Sequence, residues 1–365
     1  MRVCSGCGVQ LQSDDPNLVG FVPESALDRE QVTCRRCYRI THYGEISSVG
    51  MDRDSFRNML AEAGRGDALF MCVVDLFDFA GSWFIELPRL MGGNPFILVA
   101  NKLDLLPRQT NLDKIMRWLT RELEKRGVQP TAVVLCSAER GDGIEELRLA
   151  LAKHSQGRII YAVGMANVGK SSLLNQLTSK TASVSHLTTS RFPGTTLGQV
   201  SIGIPGIEAN VVDTPGIMTK HRLTDLVCSS CIALITPDRE LNPRVFQLNA
   251  EQALFLGGLC RIDYVEGVSQ SFVCYVANQL TVHRTKLANA DSLIALHRGD
   301  LLTPPCMYCG DHLRSFVSRD ISIKRGQPAD IVISGLGWIS IRGEACNVRV
   351  HVPRGVDISV RRAII

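Results

Sequence analysis

The chain has 365 residues, of which 45% are hydrophobic and 21% charged, with a formal net charge of +4. That length suits two or three domains of about 100–200 residues each, and the balance excludes a disordered or fibrous chain. The charge is too small to imply a nucleic-acid partner by itself. No apolar run reaches the roughly 18 residues of a membrane span, so no membrane partner is expected.

Residues 1–50 are rich in Cys, Gly and polar residues and look too small to bury a core without a staple. Cys4-x-x-Cys7 and Cys34-x-x-Cys37 form C-x2-C-x26-C-x2-C. Two paired thiolate hooks suit tetrahedral Zn2+, and a closed four-cysteine shell is structural rather than catalytic. The N-terminus "MRVCSGCG" has no apolar signal core. Of the thirteen cysteines, most of those outside the C-x-x-C pairs sit in apolar runs such as "LFMCVVD", so a reducing compartment is expected. Arg35, Arg36, Arg39 and His42 cluster by the second hook, either to contact phosphate or as a solvated face.

From 51 to 221 short apolar runs alternate with helical patterns. Buried parallel strands are predicted at 68–75, 95–102, 131–138, 158–164 and 208–216, with helices at 112–127 and 143–154. Such alternation implies an open α/β domain whose ligand loops lie at the C-terminal strand ends. From 222 to 365, after a mixed region, runs such as "QSFVCYVANQLTVHR", "ADIVISGLGWISIRG" and "NVRVHVP" alternate at period two. A separate β-rich domain is expected there. The pair Cys306-x-x-Cys309 is read as free thiols, Cys346 and His312 being the candidates to complete a site around it.

Gly164-Met165-Ala166-Asn167-Val168-Gly169-Lys170-Ser171 fits the phosphate-loop pattern G-x-x-x-x-G-K-[ST] between a strand and a helix. Its backbone N–H groups can close around phosphate oxygens. Lys170 should reach the β- and γ-phosphates and Ser171 should hold Mg2+. Val168, Gly169 and Ser172 belong to the same nucleotide-binding run. "DTPG" ends a strand, with Asp213 placed for Mg2+ and the Gly216 N–H for a γ-phosphate. Between these motifs, "SRFPGTTLG" offers Thr196, with Thr195 as the alternative, to ligate Mg2+ and sense the γ-phosphate.

"NKLD" reads as a guanine reader. Asp104 can accept from N1–H and the N2 amine, Asn101 can bond the base edge, and the Lys102 stem can cover its face. The backbone of Ser137 and Ala138 in "CSAERGDG" is a second base contact. These motifs run base reader, backing loop, phosphate loop, switch threonine, D-x-x-G. Cutting an ordinary GTPase after "DTPG" and joining its old ends near 154–158 reproduces that order. The switch then leads directly into the C-terminal region, where a γ-phosphate-dependent movement would pull on another domain.

With "CSGCG", "CRRCYRITHYGEI", "VVDLFDFAGSW", "NKLDLLP", "GMANVGKSS", "FPGTTLG", "DTPGI" and "ISGLGWISI", the chain resembles the YqeH family of circularly permuted GTPases over nearly its whole length. The resemblance implies a circularly permuted P-loop GTPase domain (51–221) with a parallel-rich sheet, an N-terminal zinc finger (1–50) and a β-rich, RNA-binding C-terminal domain (222–365). It implies binding and hydrolysis of GTP to GDP, and a role in small ribosomal subunit assembly through the subunit's rRNA. It also implies a monomer in the bacterial cytoplasm, or in a plastid or mitochondrion with a targeting segment absent from this sequence. The alternative is a GTP-gated scaffold or organellar regulator with a protein partner, hydrolysis only timing release. Ile217 stands where many GTPases place a water-orienting glutamine, so slow intrinsic hydrolysis is expected. Asn167 matches the asparagine that holds K+ in potassium-activated relatives. Its plain alternative is to brace the loop.

Overall fold

The computed structural model describes residues 2–5, 7–16, 18–27, 32–43, 50–51, 53–178, 200–217 and 219–365. Thr195 and Thr196 lie outside the described residues. Two compact units emerge, one of residues 1–104 and 120–219, the other of residues 105–119 and 220–365.

The first unit contains α1 (Arg35–Tyr43), β1 (Gly50–Met51), α2 (Arg53–Ala63), β2 (Ala68–Asp75), α3 (Phe79–Ser82), α4 (Leu87–Leu90) and β3 (Phe96–Asn101). After α5 (Leu112–Lys125), which crosses the division between units, come β4 (Ala132–Leu135), α6 (Ile144–Ser155), β5 (Ile159–Gly164), α7 (Lys170–Thr178), β6 (Val200–Gly203), β7 (Asn210–Asp213) and β8 (Gly216–Ile217). Six strands form one sheet in the order β4-β3-β2-β5-β7-β6, parallel except for β6 against β7. Every residue of β2 and β3 is buried, as expected of central parallel strands covered on both faces.

Numbered from the phosphate strand β5 onward and then from β2, the sheet reads 6-5-4-1-3-2. The chain therefore runs outward to one side of β5 and returns to fill the other, with the reversal between β5 and β2. In an open α/β sheet that reversal opens the ligand crevice at the strands' carboxyl ends. The turn after α6, with Gln156 at φ 49° and Gly157 at φ 80°, leads straight into β5. It occupies the place where the ends of an unpermuted chain would lie. α6 buries Ile144, Leu147 and Leu151 at helical spacing, each worth about 1.5–3 kcal/mol. Its Glu145 and Glu146 begin, and its Lys153 and His154 end, the helix in the sense its dipole favours.

The second unit carries α8 (Ser229–Ile235), then β9 (Arg244–Leu248), β10 (Gln252–Leu256), β11 (Cys260–Gly267), β12 (Gln270–Val276), β13 (Val282–Lys286), α9 (Leu287–His297) and α10 (Met307–His312). It ends with β14 (Phe316–Ile323), β15 (Ala329–Ile333), β16 (Gly337–Ile341), β17 (Cys346–Pro353) and β18 (Ile358–Arg362). Two five-stranded antiparallel sheets result, β13-β10-β11-β17-β14 and β18-β15-β16-β12-β9. One core takes side chains from both, among them Leu254, Phe272, Ile331 and Val350. The period-two alternation is visible in β10: Leu254 and Leu256 join that core, whereas Ala253 and Phe255 face Ala290 of α9. Among the described residues no helix is long and apolar enough to cross a membrane.

Candidate functional site

The base reader, the phosphate loop and the D-x-x-G turn follow the carboxyl ends of β3, β5 and β7. Asn101 ends β3 and is 1% exposed. Its Nδ2 donates to the Val168 carbonyl at 2.9 Å, and its Oδ1 accepts from the Ala138 N–H at 3.0 Å. One amide thus ties base reader, backing loop and phosphate loop together, so both ends of the Asn101 side chain are occupied as a brace. The close approach requires glycine at 169: φ is 87°, and a Cβ there would stand 2.2 Å from Asn101 Nδ2.

Asp104 is half-buried and accepts from Ser137 Oγ at 2.6 Å; Ser137 Oγ in turn accepts from the Arg140 N–H at 3.0 Å. The carboxylate is therefore held in one orientation. Lys102 has φ 67° and donates from Nζ to Asp75 Oδ2 at 2.7 Å. Asp75 ends β2 beside Asn101, and sequence reasoning did not single it out. Gln176 of α7 donates to the Ala138 carbonyl at 3.0 Å, linking the backing loop to the helix of the phosphate loop.

The phosphate loop follows β5, and α7 begins at Lys170. Gly164 and Gly169 are half-buried, Val168 and Ser171 buried, Asn167 and Ser172 exposed. Asn167 takes φ 64°, uncommon outside glycine. The Ala166 N–H donates to the Ile217 carbonyl at 2.8 Å, and a Cβ on Gly216 would meet Ala166 Cα at 3.0 Å. The D-x-x-G turn is thus packed on the phosphate loop. Gly216 and Ile217 also pair in parallel with Gly50 and Met51.

The charges centre on Asp213, 1% exposed at the end of β7. Lys170 Nζ contacts Asp213 Oδ1 and the Thr214 carbonyl. Arg36 of α1, 3% exposed, contacts Asp213 Oδ2 and donates to the Asp213 carbonyl at 3.0 Å. Burial alone would raise the Asp213 carboxyl, but Lys170 and then Arg36 hold it below the usual carboxylate range. Burial pushes the Lys170 ammonium below its ordinary value against the opposing pull of Asp213. Of the basic group by the second hook, Arg36 therefore lies in the phosphate region, while Arg35 is exposed and Arg39 half-buried. A carboxylate beside a phosphate loop is a donor suited to Mg2+, but here Lys170 and Arg36 take both of its oxygens, so holding the ion would require it to release one of them.

Cys4, Cys7, Cys34 and Cys37 are all buried and their sulfurs lie within 4.8 Å of one another. A tetrahedral ion with metal–sulfur bonds of about 2.3 Å needs sulfur–sulfur edges of about 3.8 Å. The Cys7–Cys34 separation is 3.8 Å, and the Cys34 N–H donates to Cys4 Sγ at 3.1 Å. These four thiols can hold one ion such as Zn2+.

Cys306 and Cys309 remain free thiols, but the expectation that they have no second hook, with only Cys346 or His312 to complete a site, needs correction. Their sulfurs cluster with those of Cys228 and Cys231, all within 4.8 Å. Neither proposed partner takes part: Cys346 pairs in β17 with Gly267 and Ile323, and His312 packs edge-on against Tyr308 at 4.7 Å. "VCSSC" carries a C-x-x-C signal that could have found this hook, but it lies in the stretch read only as a mixed region.

Two family models match, "YqeH-like, C-terminal" over residues 269–364 and "50S ribosome-binding GTPase" over residues 159–250. The chain is similar to Uncharacterized protein YqeH of Bacillus subtilis, 42% identical over 100% of this chain and 99% of that protein. It is similar to NO-associated protein 1, chloroplastic/mitochondrial, of Arabidopsis thaliana, 29% identical over 98% of this chain and 75% of that protein. A shorter match, 38% identical over 22% of this chain and 24% of the relative, is to small ribosomal subunit biogenesis GTPase RsgA of Thermotoga neapolitana. With the permuted order of guanine reader, phosphate loop and D-x-x-G on one sheet, and a near-full-length relative at this identity, the chain is a GTPase and belongs to the YqeH family.

Proposed function

We propose that this GTPase is a switch in small ribosomal subunit assembly that binds the subunit's rRNA and releases it on hydrolysis. The observation that carries the reading is the braced nucleotide site, in which Asn101 fixes base reader and phosphate loop together. The ribosome-related names of the RsgA relative and the GTPase family model support the choice of partner. In this reading Asp104 and Asn101 select guanine, with Lys102, Ser137 and Ala138 around the base. Gly164 to Ser172 hold the phosphates. Ser171, Thr196 and Asp213 hold Mg2+, the Gly216 N–H senses the γ-phosphate, and Cys4, Cys7, Cys34 and Cys37 hold Zn2+. K+ beside Asn167 neutralises charge developing between the β- and γ-phosphates, in a site where Ile217 cannot orient the attacking water. The chain acts as a monomer in three parts, 1–50, 51–221 and 222–365, the last carrying the RNA contacts.

Co-sedimentation with small ribosomal subunits, with GDP against a non-hydrolysable GTP analogue, tests the switch. Nucleotide-dependent association is expected. Equal association in both states, or crosslinks to protein with none to rRNA, refutes it and favours a scaffold with a protein partner.

A further inference from the structure

We propose that Cys228, Cys231, Cys306 and Cys309 form a second Zn2+ site, a staple within the C-terminal unit that fastens the segment following the D-x-x-G turn to the β-sheet core.

Each hook is C-x-x-C at the start of a short helix: Cys228 caps α8 and Cys306 caps α10. The Cys228–Cys306 sulfur separation is 3.7 Å, close to the edge of about 3.8 Å that a tetrahedral zinc thiolate demands. A disulfide would need about 2.05 Å, and all four are free thiols. The grouping of four sulfurs within 4.8 Å also leaves room for one ion rather than a cluster. Four thiolates in a tetrahedron select zinc over the hard cations, which prefer oxygen.

The backbone supports the same arrangement. The Cys228 N–H donates to Cys309 Sγ at 3.1 Å, and the Cys306 N–H donates to Cys231 Sγ at 3.2 Å. Each hook thus gives an N–H to a sulfur of the other, the outer hydrogen bonding that steadies metal-bound thiolates. The four-cysteine group near the N-terminus shows one such bond across its hooks, from the Cys34 N–H to Cys4 Sγ. Cys231 and Cys309 are 1% and 2% exposed and join the large core, whereas Cys228 and Cys306 are half-buried. Cys306 also lines a cavity of about 540 Å3, which gives the ion a path in.

What the staple holds is informative. Upstream of Cys228, the Leu223 N–H donates to the Ser334 carbonyl at 2.9 Å and the Asp357 N–H to the His221 carbonyl at 3.1 Å. The segment from His221 to Ile235 is thereby fixed to the β-rich unit at three places, the metal being the covalent one. The chain that leaves Gly216 enters an anchored element rather than a free tail.

Elemental analysis of the full chain, purified under reducing conditions without added metal, should give two Zn2+ per chain. The pair Cys228→Ser with Cys306→Ser should give one, and Cys346→Ser should still give two. One zinc in the unsubstituted chain, or iron as the second equivalent, overturns the assignment. Because the serine pair can fail to fold, the metal-stripped unsubstituted chain is also titrated with Co2+. Thiolate-to-cobalt absorption should grow through two equivalents, and saturation at one overturns the site. Amide exchange in α8 and α10 should quicken on metal removal while the β15 and β16 amides stay protected. Unchanged exchange in α8 overturns the staple.

Discussion

Replacing Arg36 with methionine keeps the aliphatic volume and removes the guanidinium from Asp213. That carboxylate is 1% exposed and faces two cations, Lys170 and Arg36. Losing a charged hydrogen bond costs about 1.5–3 kcal/mol, and because Lys170 remains, the cost should stay within that range rather than reach that of a stranded buried charge. At about 2–4 °C per kcal/mol for a unit of this size, Arg36→Met should melt about 3–12 °C lower in the absence of nucleotide. The nucleotide-bound state should suffer less. In the proposed reading Lys170 then faces phosphate and Asp213 turns toward Mg2+, so part of the Arg36–Asp213 attraction is already given up. By linkage the variant should show a larger Mg2+·GDP-induced rise in melting temperature. Its GDP affinity should be higher by up to about tenfold for each 1.4 kcal/mol of that attraction which binding sacrifices in the unsubstituted chain. Scanning fluorimetry with and without Mg2+·GDP measures the first, and titration calorimetry the second. Equal melting without nucleotide refutes the Arg36–Asp213 pair as a stabilising one. Weakened GDP binding would instead place Arg36 on the phosphates.

Asp104→Asn should lower GTP affinity by about tenfold to a hundredfold, and raise relative affinity for xanthosine nucleotides, which present an acceptor where guanine presents a donor; unchanged GTP affinity in a direct titration removes Asp104 from the base site. Turnover should be faster in KCl than in NaCl at equal ionic strength, and Asn167→Ala should erase that difference with little change in GDP affinity; equal rates in the two salts leave Asn167 as a brace only. Asp263 is gripped by Arg261 at 2.6 and 2.9 Å and by His351 at 2.9 Å. Burial raises its carboxyl, but these partners hold it below the ordinary 3.8. Its contribution is therefore complete above that value and lost as the pH falls toward the lower folded one. Asp263→Asn should cost about 2–4 kcal/mol near neutrality, with the gap in urea midpoint constant down to about pH 4 and closing only as the pH falls below the ordinary 3.8; a gap that does not change in that acid range refutes the assignment.

The sequence displayed the central strands because their environment is uniform. β2 and β3 are covered on both faces, so unbroken apolar runs marked them almost to the residue. β6 was not foreseen: its "VSIG" is short, and it runs antiparallel at the sheet edge. The phosphate loop and guanine reader were legible because their chemistry fixes residue type at fixed spacing. Arg36 could be read only as one of two alternatives, since its burial depends on how α1 meets β7, an approach between segments almost half the chain apart. The Asp75–Lys102 pair was hidden for a similar reason, as nothing local in the sequence links Asp75 to the lysine of the guanine reader. Cys228 and Cys231 lie in the stretch read only as a mixed region, and their partner hook lies far along the chain.

The strand order also sets a timetable for synthesis. β2, β3 and β4 leave the ribosome first and can pair among themselves, but β5, which belongs beside β2, is made only after α6. Until then the base-reading half has an unpaired edge at β2, apolar on both faces up to Asp75 at its end and prone to wrong partners. In the unpermuted order the phosphate strand would be waiting when the base-reading strands arrived. Here the ligand can bridge the two halves only late, so bound GTP cannot assist the first half of folding. The nascent base-reading half should therefore depend more heavily on chaperones than the corresponding segment of an unpermuted GTPase.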